Sequence, residues 1–273
     1  MLALLALASS GAWGAADFGA GVLTRRIPSW AVVMWSQGGG LLAVTLVLVF
    51  HGGFHWGPWG PYAIAAGAVG SLALVCFYAA LATGTMGVVA PIASLGVILP
   101  VVVGILRGDS AGPLAWVGVA VAVIGVVLAS GPELSGEVGP RPVILAALAA
   151  VGFGGVLVLV DLGARVSVLP TLWGMRVTSV AGFSLAALLM RRTGGVGGRD
   201  LPLLALVGVG DVLANGLYAV AASRGLVSLA SVLGSLYPVV TIILARFVLG
   251  ERLRRVQAVG VVLTVLGALA VAS

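Results

Sequence analysis

The 273-residue chain has no lysine and little charge of any kind. Fourteen arginines and eight acidic residues make up 8% of it, against about a quarter in an average soluble domain. So few charges cannot cover a soluble globule of this length, which excludes a soluble protein. The apolar share of 61% excludes disorder. The single cysteine, Cys76, lies in an apolar run, so an intrachain disulfide is excluded. The two histidines, His51 and His55, have helical i, i+4 spacing. Gly52, Gly53 and Pro58 make that stretch a loop rather than a metal site. Gly208-Val209-Gly210 lacks the preceding strand of a dinucleotide site. The 42 glycines follow no triplet period, so collagen is out. No cofactor is expected.

What the chain does have is long apolar runs, with a mean hydropathy of +1.23. A spanning helix with its connection takes about 25 residues, which allows roughly ten or eleven spans. Ten segments stand out, near 2–23, 30–50, 58–82, 86–106, 112–130, 142–163, 170–190, 201–223, 226–249 and 255–272. They are continuous rather than alternating, which excludes a β-barrel. The first lacks a basic leader and continues through Trp13 and Phe18, so it reads as a membrane helix rather than a signal peptide. Pro28, Pro58, Pro61, Pro113, Pro142, Pro170 and Pro202 mark helix starts. Pro132 and Pro140 fall in a central loop. Pro91, Pro100 and Pro238 lie inside segments and must bend or break them.

Arginine placement gives a topology. Let side A hold the N-terminus. Arg25, Arg26, Arg141, Arg191, Arg192, Arg199, Arg246, Arg252, Arg254 and Arg255 then fall on side B. Arg107, Arg165 and Arg224 fall on side A, and Arg176 lies within a span. The net charge of +6 thus reads as topology rather than as a nucleic-acid surface. The positive-inside rule makes side B cytoplasmic and puts both termini outside. Trp30, Trp56, Trp59 and Trp116 at segment ends read as interface anchors.

The chain repeats itself. Phe77-Tyr78-Ala79-Ala80-Leu81-Ala82-Thr83 leads through Pro100 to Gly108-Asp109 and Gly118. Leu217-Tyr218-Ala219-Val220-Ala221-Ala222-Ser223 leads through Pro238 to Gly250-Glu251 and Gly260. Tyr78 and Tyr218 are 140 apart, and Pro100 and Pro238 are 138 apart. A five-span unit is odd in number, so its second copy crosses the membrane in the opposite sense, as in many secondary transporters. The expected fold is therefore an all-α integral membrane protein of ten transmembrane helices, in two inverted-topology five-helix repeats. Residues 1–131 and 142–273 form the repeats, joined by a loop over 132–141.

Trp13-Gly14, the Tyr218–Pro238 stretch, and Leu249-Gly250-Glu251-Arg252 followed by Gly260 and Gly267 resemble the EamA family of the drug/metabolite transporter superfamily. Asp109 stands where the family commonly has Glu. The resemblance spans the whole chain. It implies a plasma-membrane carrier, expected to be an exporter, of small metabolites, amino acids or drug-like solutes. It also implies cytoplasmic termini, against the arginine distribution.

Ionisable groups inside a membrane are expensive and point to function. Four are expected there: Asp17, Asp161, Arg176 and Asp211. Asp161 and Arg176 both lie toward side A, where an ion pair between them is the first expectation, with a clamp on a charged substrate as the functional alternative. Asp17 and Asp211 have no obvious basic partner at their depth, although Arg176 is within reach of Asp211. An unpaired carboxylate in a low dielectric suits a proton-coupled carrier, and Asp211 is the first choice. Asn215 and Tyr218 follow Asp211 on the same helix face. Trp13, Asp17, Gln37, Tyr78, Arg176, Asp211, Asn215, Tyr218 and Tyr237 are the candidate substrate-binding residues. Trp35 and Trp173 are further candidate cavity aromatics, and Pro100 and Pro238 are candidate hinges. The small-residue ladders Gly11-Ala15-Gly19 and Ala12-Ala16-Ala20 read as close helix packing. The expected partners are a small-molecule substrate, the lipid bilayer and protons as coupling ion, with no nucleic acid, in a monomer or homodimer. The rival reading is a membrane-embedded enzyme acting on a lipid-linked substrate. It would need convergent acids, histidines or a metal set. The scattered acids here disfavour it, as the scarcity of intramembrane polar residues disfavours a passive pore.

Overall fold

The computed structural model describes residues 1–51, 56–83, 86–109, 112–129, 140–249 and 255–272, and all regular structure among them is helical. The first half holds α1 (Leu2–Thr24), α2 (Ser29–Phe50), α3 (Gly60–Thr83), α4 (Met86–Ser94), α5 (Ile98–Leu106) and α6 (Pro113–Ala129). The second holds α7 (Pro140–Ala164), α8 (Val168–Met190), α9 (Leu201–Ser223), α10 (Val227–Gly234), α11 (Tyr237–Leu249) and α12 (Arg255–Ala272). Seven stretches are long and apolar enough to cross a membrane: α1, α2, α3, α7, α8, α9 and Val227–Val248. Ile92–Leu106, Pro113–Gly125 and Ala258–Gly267 are shorter apolar helices. Helices satisfy their own backbone, which lipid requires. Large apolar side chains such as Leu42, Phe50, Leu72, Leu188 and Phe247 point outward, as lipid-facing residues do. This is a multi-pass membrane protein.

The two matched prolines break their segments, as expected. A helical proline clashes with the carbonyl four residues earlier, here that of Gly96 for Pro100 and of Gly234 for Pro238. Gly96 sits in a single 3-10 turn, Leu95–Val97, between α4 and α5. Gly234 ends α10, and Ser235 and Leu236 separate it from α11. Each proline thus enters the first turn of a new helix, where its missing N–H costs nothing. Pro91 lies within α4, which runs on to Ser94. Pro140 opens α7 rather than belonging to the central loop, because its fixed φ suits a first helical position. His55, Pro132, most of the expected central loop, Gly250-Glu251-Arg252 and Arg254 lie outside the described residues.

Helix partners exchange between the halves. α1 packs on α9 and α7 packs on α3; α2 also meets α9, and α8 meets α3. α2 pairs with α8, and α6 with α12. Two glycines 140 residues apart make similar contacts, about one helical turn apart in register relative to the two prolines. A Cβ on Gly14 would lie 2.6 Å from the Tyr237 carbonyl oxygen at the α10/α11 break. One on Gly154 would collide with the Gly96 carbonyl oxygen at the α4/α5 break. The ladder Ala12-Ala16-Ala20 faces α9, where Gly210 approaches Ala16 and Ala12. The other ladder does not pack as a unit: Ala15 is exposed and Gly11 meets nothing within 4 Å. Its residues sit on a face turned partly away from α9. Trp59 is also not a free interface anchor. It is 3% exposed, because Gly174 leaves room for its ring, while Trp56 stacks on it from outside at 5.9 Å.

Two large apolar clusters stand out among the described residues. One gathers Ala6, Val160, Ala164, Ala222 and Val227, near the ends of the helices on side A. The other gathers Leu23, Val32, Leu81, Val89, Ala146 and Leu204, near their ends on side B.

On side A, one loop fastens the two halves together. α5 ends in a Schellman motif: Gly108 N–H bonds the Ile105 carbonyl at 3.0 Å and Asp109 N–H bonds the Gly104 carbonyl at 2.9 Å. Gly108 adopts φ +90° there, a left-handed conformation that favours glycine. The turn delivers Asp109 to the start of α10. Its Oδ2 accepts from the Ser228 N–H at 3.0 Å and from the Ser228 hydroxyl at 2.8 Å. This is a helix N-cap supplied by the other half of the chain. Asp109→Ala is expected to lower stability by about 1 kcal/mol, and Asp109→Asn by less, as read from thermal unfolding in detergent.

Candidate functional site

The side chains converge on Asp211, near the middle of α9. Trp13 Nε1, from α1, donates to Asp211 Oδ1 at 3.1 Å. Gln37 Nε2, from α2, donates to Oδ2 at 3.3 Å. Asn215, one turn on, donates to Oδ1 at 3.0 Å. Arg176, from α8, brings Nη2 to 2.8 Å from Oδ2, and its Nη1 donates to the Gln37 side-chain oxygen. Gln37 therefore bridges acid and base. Arg176 is only 3% exposed. Its Nε and Nη2 make no aligned hydrogen bond, so the Nη2 approach to Asp211 is a charge contact.

This arrangement corrects the first expectation for Arg176. Asp161 is not its partner. The buried Asp161 carboxylate, at the side-A end of α7, bonds Arg107 Nη1 at 2.8 Å and Arg165 Nε at 3.0 Å. Arg165 is one helical turn beyond Asp161, and Arg107 closes α5 beside it. Two cations at the membrane edge thus reach Asp161, leaving Arg176 to Asp211. The hydrogen bonds that Arg165 donates to Asp161 push its guanidinium further toward its charged form. The expectation that Asp211 lacks a basic partner is corrected by the same contact.

A cavity opens beside the pair. It encloses about 770 Å³, its open mouth included, and lies at middle depth between the two apolar clusters. Of the expected binding residues, Trp13, Asp17, Gln37, Arg176, Asp211, Asn215 and Tyr237 line it. Both helix breaks reach it, through Ser94, Gly96 and Val97 on one side and Gly234 and Ser235 on the other. Pro100 and Pro238 themselves stand just behind those breaks.

Tyr218 and Tyr78 are not in the cavity wall. Tyr218 is fully buried; its hydroxyl donates to the Leu157 carbonyl at 3.1 Å and pairs with the Ser231 hydroxyl at 2.9 Å. It ties α9 to α7 and α10, and its ring lies 5.8 Å from that of Trp13. Tyr78 is buried behind Asp17, to which its hydroxyl donates at 3.5 Å. Trp35 and Trp173 also lie outside the cavity, donating to the Thr193 carbonyl at 3.2 Å and the Thr45 hydroxyl at 3.1 Å. Phe153, Ser179 and the break serines were not anticipated. Phe153 could have been found, because it stands 140 residues after Trp13 and both line the cavity.

The wall offers a buried ion pair, one further carboxylate, hydroxyls and aromatic rings. Among the described residues no group of three or more His, Cys, Asp or Glu could hold a metal ion.

The comparisons agree with a carrier. No curated protein matches the chain. A solved protein crystal structure superposes with a TM-score of 0.80 over 98% of this chain and 95% of that one, at 20% sequence identity. At that identity the likeness shows the fold alone. The model of the EamA-like transporter family matches residues 1–131 and again residues 140–273. The chain, matched twice by one family model over nearly its whole length, belongs to the EamA-like transporter family.

Proposed function

We propose that this protein is a secondary-active exporter that moves a small solute through the mid-depth cavity by alternating access. The observation that carries the reading is the position of that cavity, between two apolar clusters and against both helix breaks. Interrupted helices at matching places in two halves mark the substrate site of many secondary carriers. The seven long stretches and three shorter apolar helices make ten spans in this reading. The exchange of partners between halves supports two inverted five-helix repeats, the second beginning with α7 at Pro140. Opening to side A requires parting the cluster around Ala222 and Val227, and opening to side B the cluster around Leu23 and Leu81. The breaks before Pro100 and Pro238 are the hinges.

The solute is a small metabolite, amino acid or drug-like compound, and the membrane is the plasma membrane. Side B, with ten arginines, faces the cytoplasm. A cysteine added at the C-terminus of a Cys76→Ser variant is then labelled by an impermeant reagent in intact cells; no labelling contradicts this orientation. Protons couple to transport through Asp17. Asp211 is already held by Arg176 and three other side-chain donors, whereas Asp17 forms no ion pair among the described residues.

The test is uptake and efflux in proteoliposomes with a metabolite panel, with and without a pH gradient. At least one solute moves, the gradient drives it, and Asp17→Asn loses the response to the gradient. Absence of transport across the panel contradicts the carrier reading. Gradient-driven transport unchanged in Asp17→Asn contradicts the coupling.

A further inference from the structure

The cavity wall holds two carboxylates, Asp17 and Asp211, and one guanidinium, Arg176. Arg176 is committed to Asp211. Asp17 receives one hydrogen bond, from Tyr78 at 3.5 Å, beyond the usual range for two oxygens. Asp17 therefore stands in the cavity wall without a cationic partner among the described residues. A second group points the same way. Tyr237 lines the cavity, is 8% exposed, and its hydroxyl has no hydrogen-bond partner. Asp17 lines the same cavity. A buried hydroxyl left unpaired is costly unless a ligand completes it. The same wall holds apolar and aromatic side chains, among them Trp13, Leu74, Phe153 and Val156.

Resting on the carrier reading above, we infer that Asp17 and Tyr237 form a headgroup subsite for a monovalent organic cation, a protonated or quaternary amine with an apolar body. Asp17 supplies the counter-charge. The Tyr237 oxygen accepts an ammonium N–H, and the aromatic rings offer cation–π faces. The body of the ligand lies against Leu74, Phe153 and Val156. An anion meets Asp17 as a like charge and finds Arg176 already neutralised.

The test is equilibrium binding to the purified full-length protein in lipid nanodiscs. The probes are phenethylamine, its trimethylammonium derivative, neutral 2-phenylethanol and anionic 3-phenylpropionate. Both cations bind at least about tenfold more tightly than the alcohol or the anion, a difference of about 1.4 kcal/mol. Asp17→Asn brings cation affinity down to that of the alcohol. Tyr237→Phe, which removes one oxygen, weakens the primary amine several-fold more than the quaternary ion, which has no N–H. Equal affinity of cation and alcohol in the wild type, no binding of any probe, or a cation preference kept in Asp17→Asn overturns the inference. Tighter binding of 3-phenylpropionate also overturns it, by moving recognition to Arg176, and leaves the carrier reading standing. Failure of the carrier reading shows differently, as cation binding without transport of any solute.

Discussion

Arg176→Met abolishes transport and destabilises the protein by about 3–5 kcal/mol, the cost of breaking a buried ion pair from one side. The loss comes from what remains. The Asp211 side chain is 14% exposed, and without the guanidinium it keeps only neutral donors from Trp13, Gln37 and Asn215. Gln37 loses its own partner as well, because its oxygen accepts from Arg176. Removing both charges together, as Arg176→Met with Asp211→Leu, recovers most of the stability, since apolar replacement of a buried pair is near neutral. It does not recover transport, because the charged pair in the cavity wall is gone. Thermal unfolding in detergent and proteoliposome uptake separate the two effects. A single variant that transports normally, or a double variant as unstable as the single, contradicts this account of the pair.

Gly14→Val and Gly154→Val each remove transport, with matched losses of stability. Both glycines let a straight helix press on the backbone of a broken one. At Gly14 the obstacles to a Cβ are the Tyr237 carbonyl oxygen and the Val240 side chain, both at 2.6 Å. At Gly154 they are the Gly96 carbonyl and the Leu99 Cβ, the latter at 3.0 Å. Backbone cannot step aside as a flexible side chain can, so the helices must separate. Overpacking of this kind costs about 1–3 kcal/mol or more. The conformational cycle suffers further, because both contacts lie at the breaks that hinge it. Gly182, with nothing within 4 Å, is the control: Gly182→Val leaves transport within about twofold, since surface changes rarely exceed ±0.5 kcal/mol. A strong loss at Gly14 with none at Gly154 contradicts the equivalence of the two halves.

The fold was largely legible in the sequence, for physical reasons. Lipid leaves helices few alternatives, so apolar runs ending at prolines became helices close to their expected bounds. The 140-residue spacing located the breaks, and Tyr78 with Tyr218 carried that signal. The chemistry was less legible because the repeat does not duplicate it. At the same spacing, Ser36 stands for Arg176, Ser71 for Asp211 and Leu157 for Asp17. One half cannot therefore predict the partners in the other. Depth along a helix misassigned Arg176 to Asp161, because it ignores which faces meet. Arg107 and Arg165, read only as topology signals, are the actual partners of Asp161. Tyr218 was placed on the correct face of α9, but the serine of α10 that takes its hydroxyl comes from a break whose geometry no periodicity reports.

In the proposed carrier the mid-depth cavity is the path of the solute and opens to each side in turn. Ser235 sits at the α10/α11 break and lines that cavity. A Ser235→Cys substitution in the Cys76→Ser background tests the claim most directly, with an impermeant thiol reagent applied separately to each side of the reconstituted protein. Labelling from both sides is expected, slowed from both by a transported solute. Labelling from one side alone, or labelling that no transported solute slows, would contradict it.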